Sequence, residues 1–189
     1  MKQEYYPWGG EHTICKKDGC IAVVLLNIDY TPPQNVAIYG PLKTENIGIE
    51  KIVANIISNP HIRYLLLCGD DIRGHRSGSS LIALNQNGID NQHKIIDAPG
   101  AIPYIENIDK EAIKRFQQQI QIINLIGEKN HKKIDKTIQN YIQKKPPRFG
   151  KPYIAIQIIP QNTVSLTDTR ALHSKIVTDY MGRIKKRGE

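Results

Sequence analysis

An α/β domain, its mostly parallel sheet flanked by helices, is what this 189-residue chain predicts. Two short apolar runs, "IAVVLLN" at 21–27 and "YLLLCG" at 64–69, have strand length and no polar alternation, as strands covered on both faces do. Between them, "GPLKTENIGIEKIVANIISNP" spaces its apolar residues by three and four, which is the period of a helix. Strand, helix and strand in that order imply a parallel pair with a helical crossover.

The elements follow in chain order. After the first strand, Gly40-Pro41 reads as a turn, and a helix begins near Thr44, which is placed to cap it. Ile49, Ile52, Val53, Ile56 and Ile57 form its buried stripe, and Pro60 ends it. The second strand runs into the loop "DDIRGHR" and then "SGSSLIALNQNG", a short helix closed by Asn87-Gly88. "GAIPYIENI" at 100–108 is a short strand, loop or turn. "IDKEAIKRFQQQIQIINLIG" predicts one long helix with Ile113, Phe116, Ile120, Ile123 and Ile126 inward. "HKKIDKTIQNYIQKK" predicts a more polar helix, "PPRFGKP" a break, and "YIAIQII" a further strand. A helix is expected within "TRALHSKIVTDYMGRIKK". Residues 1–160 are expected to form the α/β domain, with 161–189 a basic C-terminal appendage of it.

Composition narrows the function classes. Cys15, Cys20 and Cys68 are odd in number and lack framework spacing, so a reducing compartment is expected, with Cys68 in a buried strand. No run approaches the ~20 apolar residues of a membrane span, and "MKQEYYPWGG" lacks a secretion signal's apolar core; a cytoplasmic protein is expected. The formal charge of +8 gathers in "QKKPPRFGK" and "GRIKKRGE" without a nucleic-acid motif or a row of stacking aromatics. It reads as a solvated tail, and no nucleic-acid partner is expected.

The chemistry gathers on "LLLCGDDIRGHRSGSS" at 65–80. In open α/β sheets ligands bind beyond the carboxyl ends of strands, where His75 lies. One imidazole nitrogen can take a metal while the other donates to a group that fixes the tautomer. Asp70, Asp71, Ser77, Ser79, Ser80 and Glu45 are candidates for that group. Gly74 and Gly78 leave backbone open to a broad, flat ligand. On local pattern alone His75 is a surface histidine in a glycine-containing turn, and no HxxxH or HExxH spacing marks a zinc site. Two other loops point to the same rim. "GPLKTENIG" places Lys43, Thr44, Glu45 and Asn46 beside Leu42 at a helix start, where free N–H groups hold polar ligands; "APGAIPYIEN" brings Gly100 and Pro103 into a turn.

"GPLKTENIGIEKIVANIISNPHIRYLLLCG", "GHRSGSSLIALNQNGID" and "GAIPYIENI...RFQQQIQIINLIG" resemble, over roughly 20–127, the corrinoid-binding subunit of the tetrahydromethanopterin S-methyltransferase of methanogenic archaea. The resemblance implies a Rossmann-like domain holding a cobamide, a cobalamin-type corrinoid, with His75 as the lower ligand of its cobalt. The cofactor-binding set it implies is Leu42, Lys43, Thr44, Glu45, Asn46, Arg73, Gly74, His75, Ser77, Gly78, Ser79, Gly100 and Pro103. No residue is expected to act as catalytic acid, base or nucleophile. Other corrinoid methyltransferases carry Asp-x-His-x-x-Gly; Arg73 stands in the aspartate's place here, so the relay is expected from Glu45 or a serine of 77–80. Ser77-Gly78-Ser79-Ser80 replaces the family's Thr-Gly-Gln-Ser, and no hydrophobic anchor precedes "KKRGE", so a soluble paralogue is expected. The implied function is a methyl carrier whose cobalt cycles between Co(I) and methyl-Co(III). It would pass methyl groups from methyl-tetrahydromethanopterin to coenzyme M or a related thiol, with other methyltransferase subunits as partners. The alternative is a corrinoid-storage protein without turnover.

Overall fold

The computed structural model describes residues 5–156 and the backbone of two short strands at 176–178 and 184–186. The chain divides into two compact units, Met1–Gln157 and Ile158–Glu189.

The first unit is a five-stranded sheet in the order β1-β3-β2-β4-β5. Strands β2 (Ile21–Leu26), β3 (Ile38–Pro41), β4 (Tyr64–Gly69) and β5 (Gln121–Ile126) run parallel, and β1 (Thr13–Ile14) pairs antiparallel at one edge. This is the expected Rossmann-like α/β sheet. β2 and β4 are central, which is why their sequences are apolar on both faces. Val24, Leu65 and Leu67 join one core, under helices α1 (Ile47–Ser58), α2 (Ser77–Asn87) and α3 (Lys110–Gln119). Val23, Leu66 and Cys68 join the other, under Ile134 and Ile138 of α4 (His131–Ile142).

Several expectations meet corrections. Gly40-Pro41 ends β3 and is no turn; Pro41 pairs with Leu25, and Leu42 N–H continues the ladder to the Leu25 carbonyl at 3.0 Å. Helix α1 starts after Asn46 and not at Thr44, because the Asn46 side chain accepts from Ile47 N–H at 2.8 Å. The long helix stops at Gln119: Ile120 is extended, and 121–126 form β5. Buried Gln119 anchors that break, its amide donating to the carbonyls of Asn59 and Ile62 at 3.0 Å each. Within "YIAIQII", residues 153–156 form no strand; 157–159 lie outside the described residues. In the second unit Ile176–Thr178 and Ile184–Lys186 pair as antiparallel strands, β6 and β7, where a helix was expected; the rest of that stretch lies outside the described residues.

Candidate functional site

β3 and β4 flank β2, and the loops leaving their carboxyl ends carry Glu45 and His75. Gly69 fixes the second loop's departure. Its φ is +91°, and a Cβ there would stand 1.8 Å from the Leu26 carbonyl oxygen, so only glycine lets β4 turn out against β2. Gly74, with φ +90°, turns the loop again and opens its backbone to solvent.

His75 Nδ1–H donates to Glu45 Oε2 at 3.0 Å. The imidazole is 61% exposed and the carboxylate 4%, so a buried anion holds an exposed ring by one nitrogen, and among the described residues Nε2 has no hydrogen-bond partner. Glu45 Oε1 accepts from Ile102 N–H at 3.1 Å, and one carboxylate therefore ties the histidine loop to the 100–105 segment. Burial opposes ionisation of Glu45, but its own backbone N–H, that of Ile102 and the His75 ring together hold its carboxyl below the usual range. Five residues along, buried Glu50 grips the chain just beyond that segment through Asn107 N–H at 2.8 Å and Asn107 Nδ2 at 2.6 Å.

Gly100 completes the floor. A Cβ there would meet the His75 carbonyl oxygen at 2.6 Å and Ser80 Oγ at 2.8 Å. Ser80 Oγ is buried without a hydrogen-bond partner among the described residues.

Of the serines and acids weighed for the relay, none of the others reaches His75. Asp71 caps α2, accepting from Gly78 N–H at 2.9 Å, Ser79 N–H at 2.8 Å and Ser79 Oγ at 2.7 Å. Asp70 pairs with Lys129, and Ser77 is buried at the start of α2. Gly78 is buried too, where a Cβ would strike Leu26 Cδ1 at 2.5 Å, so its missing side chain serves helix-on-sheet packing and not the approach of a flat ligand. The helix start at 44–48 has no free donors at Ile47 and Gly48, because Asn46 and Thr44 take those N–H groups. Lys43 is drawn off to Glu11 at 2.6 Å, and Leu42 is core. Arg73 is exposed, and Pro103 is buried with its carbonyl accepting from Ile95 N–H at 2.8 Å.

Three residues were missed by sequence reasoning. Ile47, at the first position of α1, and Ile72 and Ile102, on the loops that carry His75 and face Glu45, are 42%, 52% and 58% exposed. Exposed isoleucines are ordinary singly; these three stand near the pair along the chain, Ile47 two residues after Glu45, Ile72 three before His75, and Ile102 with its N–H on Glu45. A cavity of about 100 Å³ lies elsewhere, between residues 8–12 and α1, and none of the predicted site residues lines it.

Comparison with known proteins sets this geometry in a family. Residues 2–165 match the family model MtrA, which describes the A subunit of tetrahydromethanopterin S-methyltransferase. The chain belongs to the MtrA family. The first of the A subunits named for this enzyme in Methanothermobacter thermautotrophicus is 44% identical over 153 residues, 79% of this chain and 64% of that protein. The second of those in Methanobrevibacter ruminantium is 42% identical over 153 residues, 79% of each. The Mtx A subunit of Methanosarcina acetivorans, itself only a proposed methyltransferase, is 44% identical over 144 residues, 76% of this chain and 73% of that one. MtrA proteins are thus components of a methyltransferase with further subunits, and no helix among the described residues is long and apolar enough to cross a membrane.

Proposed function

We propose that this chain is a corrinoid-binding methyl carrier, with His75 Nε2 as the nitrogen that would hold a cobamide's cobalt. The observation that carries the reading is the 3.0 Å contact between an exposed imidazole and a buried carboxylate. A carboxylate accepts only, so Nδ1 carries the proton, and the Nε2 lone pair points away as a ligand. Among the described residues no group of three or more His, Cys, Asp or Glu side chains is placed to hold a metal ion, so His75 offers one nitrogen to a metal that brings its other ligands with it.

The surroundings fit a broad, flat, partly apolar ligand. Ile47, Ile72 and Ile102, exposed close to the pair along the chain, would offer apolar contact, and Gly74 leaves the loop without a side chain that would lift the ligand off. Glu45, Arg73, Gly74, His75, the three isoleucines and Gly100, which sets the loop height, form the contact set. Leu42, Thr44, Asn46, Ser77, Gly78, Ser79 and Pro103 hold the loops in place, and Lys43 borders them.

A bound corrinoid would supply cobalt that accepts and gives up a methyl group, a chemistry in keeping with a methyltransferase family. The chain's own part is positional. Glu45 fixes the imidazole's tautomer and direction, and its negative charge raises the ring's strength as a donor. The same hydrogen bond holds the ring in place without a ligand, so binding a metal would cost little reorganisation. The donor and acceptor of the methyl group would be brought by other subunits: a methylated pterin and a thiol such as coenzyme M.

The test is the visible spectrum of the chain incubated with hydroxocobalamin and desalted, beside His75→Ala. Retained colour with a spectral shift absent from the variant is the expected result. A colourless wild-type protein overturns the reading.

A further inference from the structure

We propose that β5 is a self-association surface, pairing antiparallel with β5 of a second copy so that Asn124 lies opposite Asn124.

The sheet's two edges differ. β1 is two residues long and is flanked by Glu11, Lys16 and Lys17, the short and charged form that discourages pairing. β5 is six residues long, and the chain from Phe116 to Gly127 holds neither a charge nor a proline. The sheet order ends at β5, so among the described residues nothing pairs with its outer side. Gln121 N–H donates to the Arg63 carbonyl and Gly127 N–H to that of Gly69, so the odd-numbered residues face β4. Ile122, Asn124 and Ile126 therefore turn their backbone groups outward. Half-buried Ile122 and Ile126 border one core, and Leu125 the other; both cores end unfinished at this edge.

The strand's own sequence fits that edge in one register. With Asn124 opposite itself, Ile122 faces Ile126 and Ile123 faces Leu125, so apolar meets apolar on both sheet faces. A shift of two residues sets Asn124 against Ile122 and Gln121 against Leu125; the opposite shift sets Asn124 against Ile126. The same register puts the outward-facing residues in hydrogen-bonded pairs, matching the groups the edge offers. In the single chain Asn124 Oδ1 accepts from Ile126 N–H at 3.0 Å. On pairing, that N–H would donate to the Ile122 carbonyl of the second copy, freeing two asparagine amides to meet across the two-fold. The two strands run oppositely, so the Glu45–His75 sites fall at opposite ends of the joined sheet and stay open.

The experiment is sedimentation velocity of the full chain with Ile122→Lys, and oxidative crosslinking of Asn124→Cys beside Gln121→Cys. Opposed Cα atoms in a hydrogen-bonded antiparallel pair are about 5.5 Å apart, within disulfide reach. Support is a species of twice 21.4 kDa that Ile122→Lys converts to monomer with unchanged far-ultraviolet dichroism, together with a covalent dimer from Asn124→Cys and none from Gln121→Cys. A wild-type monomer at every concentration overturns the proposal, including in favour of a different protein on this edge. So does equal crosslinking at 121 and 124, or a rate for Asn124→Cys no faster than that of the three native cysteines.

Discussion

Replacing Glu45 with glutamine isolates the carboxylate's role from its shape. Beyond its own backbone N–H, the carboxylate divides its oxygens between two other segments: Oε1 takes Ile102 N–H at 3.1 Å and Oε2 takes His75 Nδ1–H at 3.0 Å. Glutamine keeps one acceptor and turns the other position into a donor, so one of the two N–H groups is left facing an N–H. If the Ile102 amide keeps the oxygen, His75 loses a charge-assisted bond worth about 1.5–3 kcal/mol. If His75 keeps it, the part-buried Ile102 N–H loses its partner, at about 1 kcal/mol because the residue is partly open to water. A cost of about 1.5 kcal/mol on the ligating geometry is roughly tenfold in affinity, the lower end of the roughly 10–100-fold typical for partners of metal-bound histidines. The assay is a visible titration with hydroxocobalamin at neutral pH, with thermal unfolding of the ligand-free protein as a control for folding. An unchanged affinity and spectrum in Glu45→Gln would refute the claim that this carboxylate orients the ligand.

Other outcomes follow from the same geometry. The folded-state carboxyl of Glu45 lies below its ordinary 4.5, so the folded state binds fewer protons there. The stability it contributes is present above that value and lost as pH falls through the folded pKa; the melting-temperature gap between wild type and Glu45→Gln should be flat above pH 5 and shrink in acid. Gly100→Ala forces a Cβ to 2.6 Å from the His75 carbonyl oxygen, and should cost about 1–3 kcal/mol in chemical denaturation and weaken corrinoid binding with it. Ile72→Ser and Ile102→Ser leave every backbone hydrogen bond in place, so each should lower corrinoid affinity several-fold in the same titration with little change in melting temperature. Asp71→Ala removes the cap of α2, at about 1–2 kcal/mol by denaturant unfolding, while the His75-dependent spectral shift persists. Burial pushes the Cys68 thiol up to about 12, so alkylation followed by mass spectrometry at pH 8 should label Cys15 and Cys20 well before Cys68.

The central sheet was legible because β2 and β4 are apolar on both faces, a pattern that survives without any knowledge of neighbours. β5 was not, because Ile113, Phe116, Ile120, Ile123 and Ile126 keep a helical spacing straight through the break at Gln119. What ends α3 is tertiary: the Gln119 amide reaches carbonyls at 59 and 62, some sixty residues earlier. Gly40-Pro41 misled for a related reason, since proline is tolerated towards the margin of a sheet, and here it closes its strand. At the site, the relay to His75 was open between Glu45 and a serine of 77–80; the sequence could not choose, because only the fold brings a residue thirty positions away into contact. Ile47, Ile72 and Ile102 carried no local mark, because an isoleucine's exposure is decided by what fails to cover it.

The Asp71 cap has a consequence for what this fold refuses. A doubly wound sheet ordinarily seats a phosphate on the N–H groups at a helix start beside the strand crossover. Here the seat on α2 is already taken by a resident anion, with both oxygens of Asp71 spent on the amides of Gly78 and Ser79. The start of α1 is closed likewise by Asn46 and Thr44. Nucleotides that enter related sheets phosphate-first would meet the Asp71 carboxylate where a phosphate would sit at the start of α2.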